Sequence, residues 1–183
     1  RGGTTTDAVF SLTRELRREL LLPLIYRSYA NVVFSYGTER FMKEAAEAGA
    51  DALILPDVPF EEREEFLGAA KKHGICLISM LAPSPEKRVL AIAGDSEGFL
   101  CLLPSPDAGE EGLSEMSETA KLIREKSGIP LVIDFGEKEA EEAGETAAFF
   151  DGLIAMPALP GQGKAEYAGA YAKRMAEAVH RAR

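Results

Sequence analysis

The 183 residues offer few groups that could do covalent or metal chemistry. The two cysteines, Cys76 and Cys101, each lie inside an apolar run and neither has a CxxC partner, so they read as core thiols of a reducing compartment. There are two histidines, and His180 lies three residues from the end, which speaks against a His-rich metal site or a Ser-His-Asp triad. Gly161-Gln162-Gly163-Lys164 has the flavour of a phosphate loop. It lacks the spacing, and no Ser or Thr follows Lys164, so it reads as the lead-in to a last helix. Asp57, within Pro56-Asp57-Val58-Pro59, reads as an acceptor that fixes backbone N–H groups of a loop, since the two prolines cannot donate. A lone carboxylate there is also a candidate base. Ligand chemistry is therefore sought in what binds a small molecule rather than in a reactive side chain.

Such residues need a frame, and the frame is repetitive. Short β-type runs alternate with amphipathic stretches along the whole chain, the pattern of a parallel sheet wrapped by helices. A Thr4-Thr5-Thr6-Asp7 cap opens a first helix to about Glu19, with Val9, Phe10, Leu12, Thr13 and Leu16 on its inner face. Strands are expected at 24–27, 51–55, 75–80, 98–103, 129–133 and 152–155. Further helices are expected at 38–48 (ended by Gly49), from Pro59 to Lys72 (stopping near Gly74), 85–93, 113–126, 137–147 and 165–180. Six strands and seven helices in strict alternation give one α/β domain over residues 1–183. Strands rich in Leu and Ile and buried on both faces fit a β/α barrel or an open doubly wound sheet. In both, ligands gather at the carboxyl ends of the strands.

Composition narrows the partners. Apolar residues make up 46% of the chain and charged ones 28%, enough for a real core. The net charge of −9 argues against a nucleic-acid partner held through phosphates. No apolar run approaches the ~20 residues of a membrane helix and no secretory pattern opens the chain, so no membrane association and a cytoplasmic location are expected. A chain that opens on Arg1 is expected to be processed or to be part of a longer one. The acidic stretch after Gly136 reads as a solvated first helical turn favoured by the dipole, and Tyr167 with Tyr171 as helix packing.

The segments that follow the strands carry a resemblance. YANVVFSYG (29–37), EAGADALILPDVPFEE (47–62), AAKKHGI (69–75), LAPSP (81–85) and GIPLVIDFG (128–136) resemble, in order and spacing, the tryptophan synthase alpha chain family. The resemblance covers nearly the whole chain and is strongest from Tyr29 to Pro83. It implies a (β/α)8 barrel of the TIM type, of which this chain supplies the last six of eight units. It also implies a lyase that cleaves indole-3-glycerol phosphate to indole and glyceraldehyde 3-phosphate in tryptophan biosynthesis, without a cofactor or metal of its own. Such a chain works with a pyridoxal-phosphate beta chain that takes up the indole.

Residue by residue, the resemblance places Tyr29 beside the indole and Ile54 and Met80 on apolar positions lining that pocket. Phe135 and Gly136 match the pair at which a backbone N–H meets substrate phosphate. Asn31 and Pro59 match surface positions that face the beta chain. From the residues alone, Tyr29 could equally be packing, Ile54 and Met80 core, and Phe135-Gly136 a turn.

Two departures matter. The family's two acidic catalytic residues come from the first two strands and the loop after the second, so no residue here is assigned the acid or base role that carbon–carbon cleavage requires. The phosphate site is also altered. Where the family carries a Gly-Val-Thr-Gly type loop, residues 104–111 read Pro-Ser-Pro-Asp-Ala-Gly-Glu-Glu, with Asp107 adding charge and two prolines removing donors. Met156-Pro157 replaces a Gly-Ser, and Asp134 flanks the retained pair. A like charge within a few ångströms of a phosphate costs on the order of 1–4 kcal/mol at effective dielectrics of ~80 to ~20. Arg27 replaces an apolar wall residue, as a new anion contact or as the partner of one of those acids. A noncatalytic binding or regulatory subunit, and a barrel enzyme for a non-phosphorylated ligand, therefore stay open beside the lyase. A barrel short of two strands also has two open sheet edges, from which self-association is expected.

Overall fold

The computed structural model describes residues 3–104, 109–136, 140–156 and 164–181. Its elements run α1 (Thr6–Arg17), β1 (Ile25–Arg27), α2 (Ala30–Tyr36), α3 (Thr38–Ala48) and β2 (Ala52–Ile54). A 3-10 turn (Phe60–Glu62), α4 (Glu64–His73), β3 (Cys76–Leu81), α5 (Glu86–Gly94) and β4 (Leu100–Leu102) follow. The chain ends with α6 (Gly109–Lys126), β5 (Leu131–Gly136), α7 (Ala140–Ala147), β6 (Gly152–Ala155) and α8 (Lys164–Arg181). It forms two compact units, Arg1–Met80 and Leu81–Arg183.

In the first unit β1, β2 and β3 pair in parallel, with Arg27 opposite Ile54 and Ile54 opposite Ile78. Helices on one face bury Phe10, Phe41, Met42, Leu53, Phe66 and Ala70. Phe10 is the hub, with ring centroids 5.8, 5.5 and 5.3 Å from those of Tyr26, Tyr36 and Phe41. Thr13 is buried because its Oγ1 donates to the Val9 carbonyl at 2.9 Å and accepts from the Tyr26 hydroxyl at 2.7 Å. In the second unit β4, β5 and β6 pair in parallel, and the Leu103 N–H donates to the Leu81 carbonyl at 2.8 Å.

Both units start a strand with the same device. Asp51 donates its N–H to the Leu24 carbonyl (2.8 Å) and its carboxylate accepts the Leu24 N–H (2.7 Å). Asp151 does both with Leu131, each at 2.8 Å. An arginine from a neighbouring helix, Arg17 or Arg124, holds each carboxylate. Strands of three to six residues are thereby fixed in register by bonds outside their own ladder.

The expected order of strands and helices is found, with four corrections. Strict alternation fails at Ala30–Tyr36, which forms the helix α2 rather than a strand-end loop. The helix expected from Pro59 is a 3-10 turn followed by α4. β5 continues through Asp134 and Phe135 to Gly136 instead of ending at Ile133. On α1 only Phe10 and Thr13 are buried, whereas Val9, Leu12 and Leu16 are 38%, 54% and 40% exposed. The glycine stops are as expected: Gly49 and Gly74 close α3 and α4 in the left-handed region, at φ 97° and 74°.

Two phenols give a pH signature. Burial raises the Tyr26 pKa, and the Asp7 and Glu44 carboxylates, 2.5 and 2.7 Å from the Tyr36 hydroxyl, raise that of Tyr36. Unfolded phenols ionise near pH ~10. The folded chain holds both protons longer, so this stability is complete below that pH and is lost as pH rises through the folded values. Urea midpoints measured from about pH 8 to about pH 11 should therefore fall less steeply in Tyr26→Phe and Tyr36→Phe than in the parent.

Candidate functional site

In the first unit the site candidates follow the strands. β1 hands over to Ser28, whose N–H donates to the Ile54 carbonyl at 3.1 Å. Tyr29 is the residue before α2, at φ −105° and ψ 152°, and its side chain makes no cap hydrogen bond. The cap comes from elsewhere: both oxygens of Asp57 accept the Ala30 N–H, at 3.1 and 3.0 Å. This is the loop-fixing role read from the Pro56-Asp57-Val58-Pro59 segment. A carboxylate at a helix N-terminus also meets the favourable end of the helix dipole. Asp57 ties the segment after β2 to the start of α2, which draws together the loop bearing exposed Pro59 and the helix bearing exposed Asn31.

The three pocket candidates of this unit differ in exposure. Tyr29 is 61% exposed, so its ring is not held by core packing. Ile54, in register between Arg27 and Ile78, is 3% exposed. Met80 is half-buried and lines a cavity of about 20 Å³ with Leu55, Phe60, Arg63 and Ser79. That is room for about one water. Arg27 is exposed and borders a larger cavity, about 220 Å³, with Thr5, Val9, Tyr26, Ser28 and Val32.

Sequence reasoning missed Arg63. It is 7% exposed, donates to the Ser79 hydroxyl at 3.1 Å and lies 3.8 Å over the Phe60 ring. The signal was the i, i+3 spacing of Phe60 and Arg63 at a proline-led helical start, which lets a guanidinium fold back over a ring.

In the second unit β5 carries Asp134, Phe135 and Gly136 with alternating faces. Phe135 is 4% exposed and packs with Ala143, Tyr171 and Met175. Gly136 takes φ 65°, where an irregularity in the β5–β6 register falls between it and Asp134. Its carbonyl accepts the Met156 N–H at 2.9 Å. Its own N–H, the group the resemblance offers to phosphate, donates to Asp134 Oδ1 at 3.3 Å. Asp134 thus does two things: it adds negative charge beside that donor and it occupies the donor. Met156 is 38% exposed. Asp107, Pro157 and the Gly161–Gly163 segment lie outside the described residues.

The last helix packs as expected, with the Tyr167 and Tyr171 rings 6.4 Å apart and near parallel. Cys101 is buried and Cys76 half-buried. Among the described residues no helix is long and apolar enough to cross a membrane.

Comparison with known proteins fixes the family. Residues 1–169 match the family described as tryptophan synthase alpha chain. The tryptophan synthase alpha chain of Shouchella clausii is 35% identical over 162 residues, and that of Geotalea uraniireducens is 37% identical over the same length. Each match covers 86% of this chain and 60% of the relative, so the chain spans about three fifths of the length of these proteins. A structure from Aquifex aeolicus superposes with TM-score 0.86 at 28% identity, covering 97% of this chain and 71% of its own. The Legionella pneumophila tryptophan synthase alpha chain gives 0.84 at 27% identity, covering 97% and 70%. The parallel strands and their helices are thus of the TIM-barrel type, with six of the eight βα units of such a barrel in this chain. The chain belongs to the tryptophan synthase alpha chain family.

Proposed function

We propose that the chain carries six units of an alpha-type lyase that cleaves indole-3-glycerol phosphate to indole and glyceraldehyde 3-phosphate in tryptophan biosynthesis. The family match over residues 1–169 carries this reading. In it the exposed ring of Tyr29 lies along the indole, with Ile54 and Met80 behind it, and the Phe135-Gly136 backbone meets the phosphate. Asn31 and Pro59, drawn together by Asp57, face a pyridoxal-phosphate beta chain. The enzyme works in the cytoplasm, and no residue of the 183 is assigned the acid or base role that carbon–carbon cleavage requires.

One observation supports a second reading. The Gly136 N–H is already bonded to a carboxylate, which suits a noncatalytic binding subunit or a barrel enzyme for a non-phosphorylated ligand better than a phosphate site. Titration calorimetry with indole-3-glycerol phosphate separates the two. The lyase reading expects affinity that survives Arg27→Leu and falls at least about tenfold in Tyr29→Ala, the loss of a ring contact worth roughly 1.4 kcal/mol. No binding to the parent chain, or equal binding by Tyr29→Ala, removes the lyase reading. Beta-chain binding without lyase activity would then establish the subunit.

A further inference from the structure

β2 is shorter than the strand beside it. It ends at Ile54, opposite Ile78, whereas β3 runs on to Leu81. Among the described residues the β2–β3 pairing therefore stops two residues before Met80. The register sets Ile54 beside Ile78 on one face, and the strand period of two returns Met80 to that face. Ser79 leaves the opposite face with Leu77, which belongs to the core that holds Phe66 and Ala70 of α4. The pocket candidate Met80 thus stands on a stretch of strand that β2 no longer supports.

The segment after β2 takes over that side. Leu55, Val58 and Phe60 face Ile78, Ser79 and Met80 around the cavity of about 20 Å³. A side chain bridges this gap. Arg63 donates from Nη1 to the Ser79 hydroxyl at 3.1 Å, and its guanidinium carbon lies 3.8 Å from the centre of the Phe60 ring. Arg63 is 7% and Ser79 6% exposed. A hydrogen bond from a charged donor is strong in such low-dielectric surroundings. The backbone of Arg63 is fixed as well, because its carbonyl accepts the N–H groups of Phe66 and Leu67, each at 2.9 Å, where α4 begins. A planar guanidinium stacked on a ring and anchored at a helix start makes a rigid strut.

We propose that Arg63 is a positioning residue that takes the place of the β2 ladder along the end of β3 and so sets where Met80 stands in the indole pocket. Met80's place in that pocket rests on the lyase reading; the strut itself does not. The constraint passes through one planar peptide, since a fixed Ser79 leaves the next Cα, ~3.8 Å away, little freedom. Arg63 touches no ligand in this arrangement and acts through Ser79.

Carbon-13 labelling of the methionine methyl groups of the 183-residue chain supplies the test. Met42, fully buried on α3 in the same unit, is the internal control, because a general loosening would move it together with Met80. Arg63→Met keeps a long apolar stem and removes the donors, and Ser79→Ala removes the acceptor. Each should displace the Met80 methyl resonance and leave that of Met42 in place. The double variant should match the single ones, since all break one contact. Arg63→Lys keeps a donor and a cation over Phe60 and should restore part of the parent spectrum. Titrated with indole, the parent should show a saturable shift at Met80. Both single variants should bind about fivefold more weakly, within the range by which residues without ligand contact alter a site. Should Arg63→Met fail to unfold cooperatively, Ser79→Ala, the smaller change, decides. A Met80 methyl unmoved by Ser79→Ala, or Met80 and Met42 moved together, overturns the strut. Equal indole affinity in parent and variants, with a Met80 methyl that responds to indole, overturns the positioning role. A Met80 methyl displaced by the variants but indifferent to indole in the parent upholds Arg63 as the strut of β3 and overturns Met80's place in the pocket.

Discussion

Gly49→Ala lowers the unfolding free energy of the chain by about 3 kcal/mol, a large share of the 5–15 kcal/mol a domain holds. Two separate costs add to this. Gly49 closes α3 at φ 97°, ψ 21°, where an L side chain is strained by roughly 1 kcal/mol or more. A β-carbon there would also lie 2.8 Å from Cγ, 3.0 Å from Nε and 3.2 Å from Cβ of Arg17. A surface arginine could swing away, but Arg17 cannot do so freely. Its Nε donates to the Gly49 carbonyl at 2.9 Å, its other nitrogens donate to the carbonyls of Gly49, Leu20 and Leu22, and it pairs with the Asp51 carboxylate that fixes Leu24. Moving it forfeits several part-buried bonds, each worth about 0.5–1.5 kcal/mol.

A double-mutant cycle separates the costs. In an Arg17→Ala background the crowding is gone and Gly49→Ala should cost only the backbone strain, leaving a coupling of about 1–2 kcal/mol in urea unfolding. Strict additivity would mean that Arg17 yields without loss and that this account of the α1–α3 junction is wrong.

What the sequence alone made legible divides along the same line between local and distant causes. The strands were visible as apolar runs, and the ends of α3 and α4 were visible because Gly49 and Gly74 act where they stand. The helix α2 was not visible. Its run Ala30-Asn31-Val32-Val33-Phe34 is β-branched and aromatic, and its own flanking residue supplies no cap. Asp57, twenty-seven positions later, supplies it. Asp57 could be recognised as an acceptor, but the N–H it accepts could not. Leu12 and Leu16 fell on an inner-face pattern, yet periodicity states only that a stripe wants cover, and in this chain nothing described covers them.

The candidate site shows the same limit. That Asp134 adds charge beside Gly136 was readable from adjacency; that it takes up the Gly136 N–H depends on β5 extending to Gly136 with its register shift, which only the fold displays.

Asp134 is where the two functional readings part most sharply. Replacing it should raise affinity for phosphate-bearing ligands, and two variants apportion the gain. Asp134→Asn removes the charge but keeps an amide oxygen able to accept the Gly136 N–H. Relief of like-charge repulsion, about 1 kcal/mol at the dielectric of bulk water, should improve binding roughly fivefold. Asp134→Ala removes the charge and releases the donor. An N–H given to a charged oxygen is worth about 1.5–3 kcal/mol, so this variant should bind on the order of a hundredfold more tightly than the parent. Inorganic phosphate and indole-3-glycerol phosphate, titrated by calorimetry against all three chains, provide the measurement. The ordering Ala tighter than Asn tighter than Asp locates the phosphate at the β5 end and makes the carboxylate an acquired block on an inherited site. If affinity for indole-3-glycerol phosphate is unchanged by both substitutions, its phosphate binds elsewhere. If both substitutions weaken binding, Asp134 is itself a ligand contact, and the ligand this chain selects offers a donor or a cation to that carboxylate rather than an anion to the Gly136 N–H.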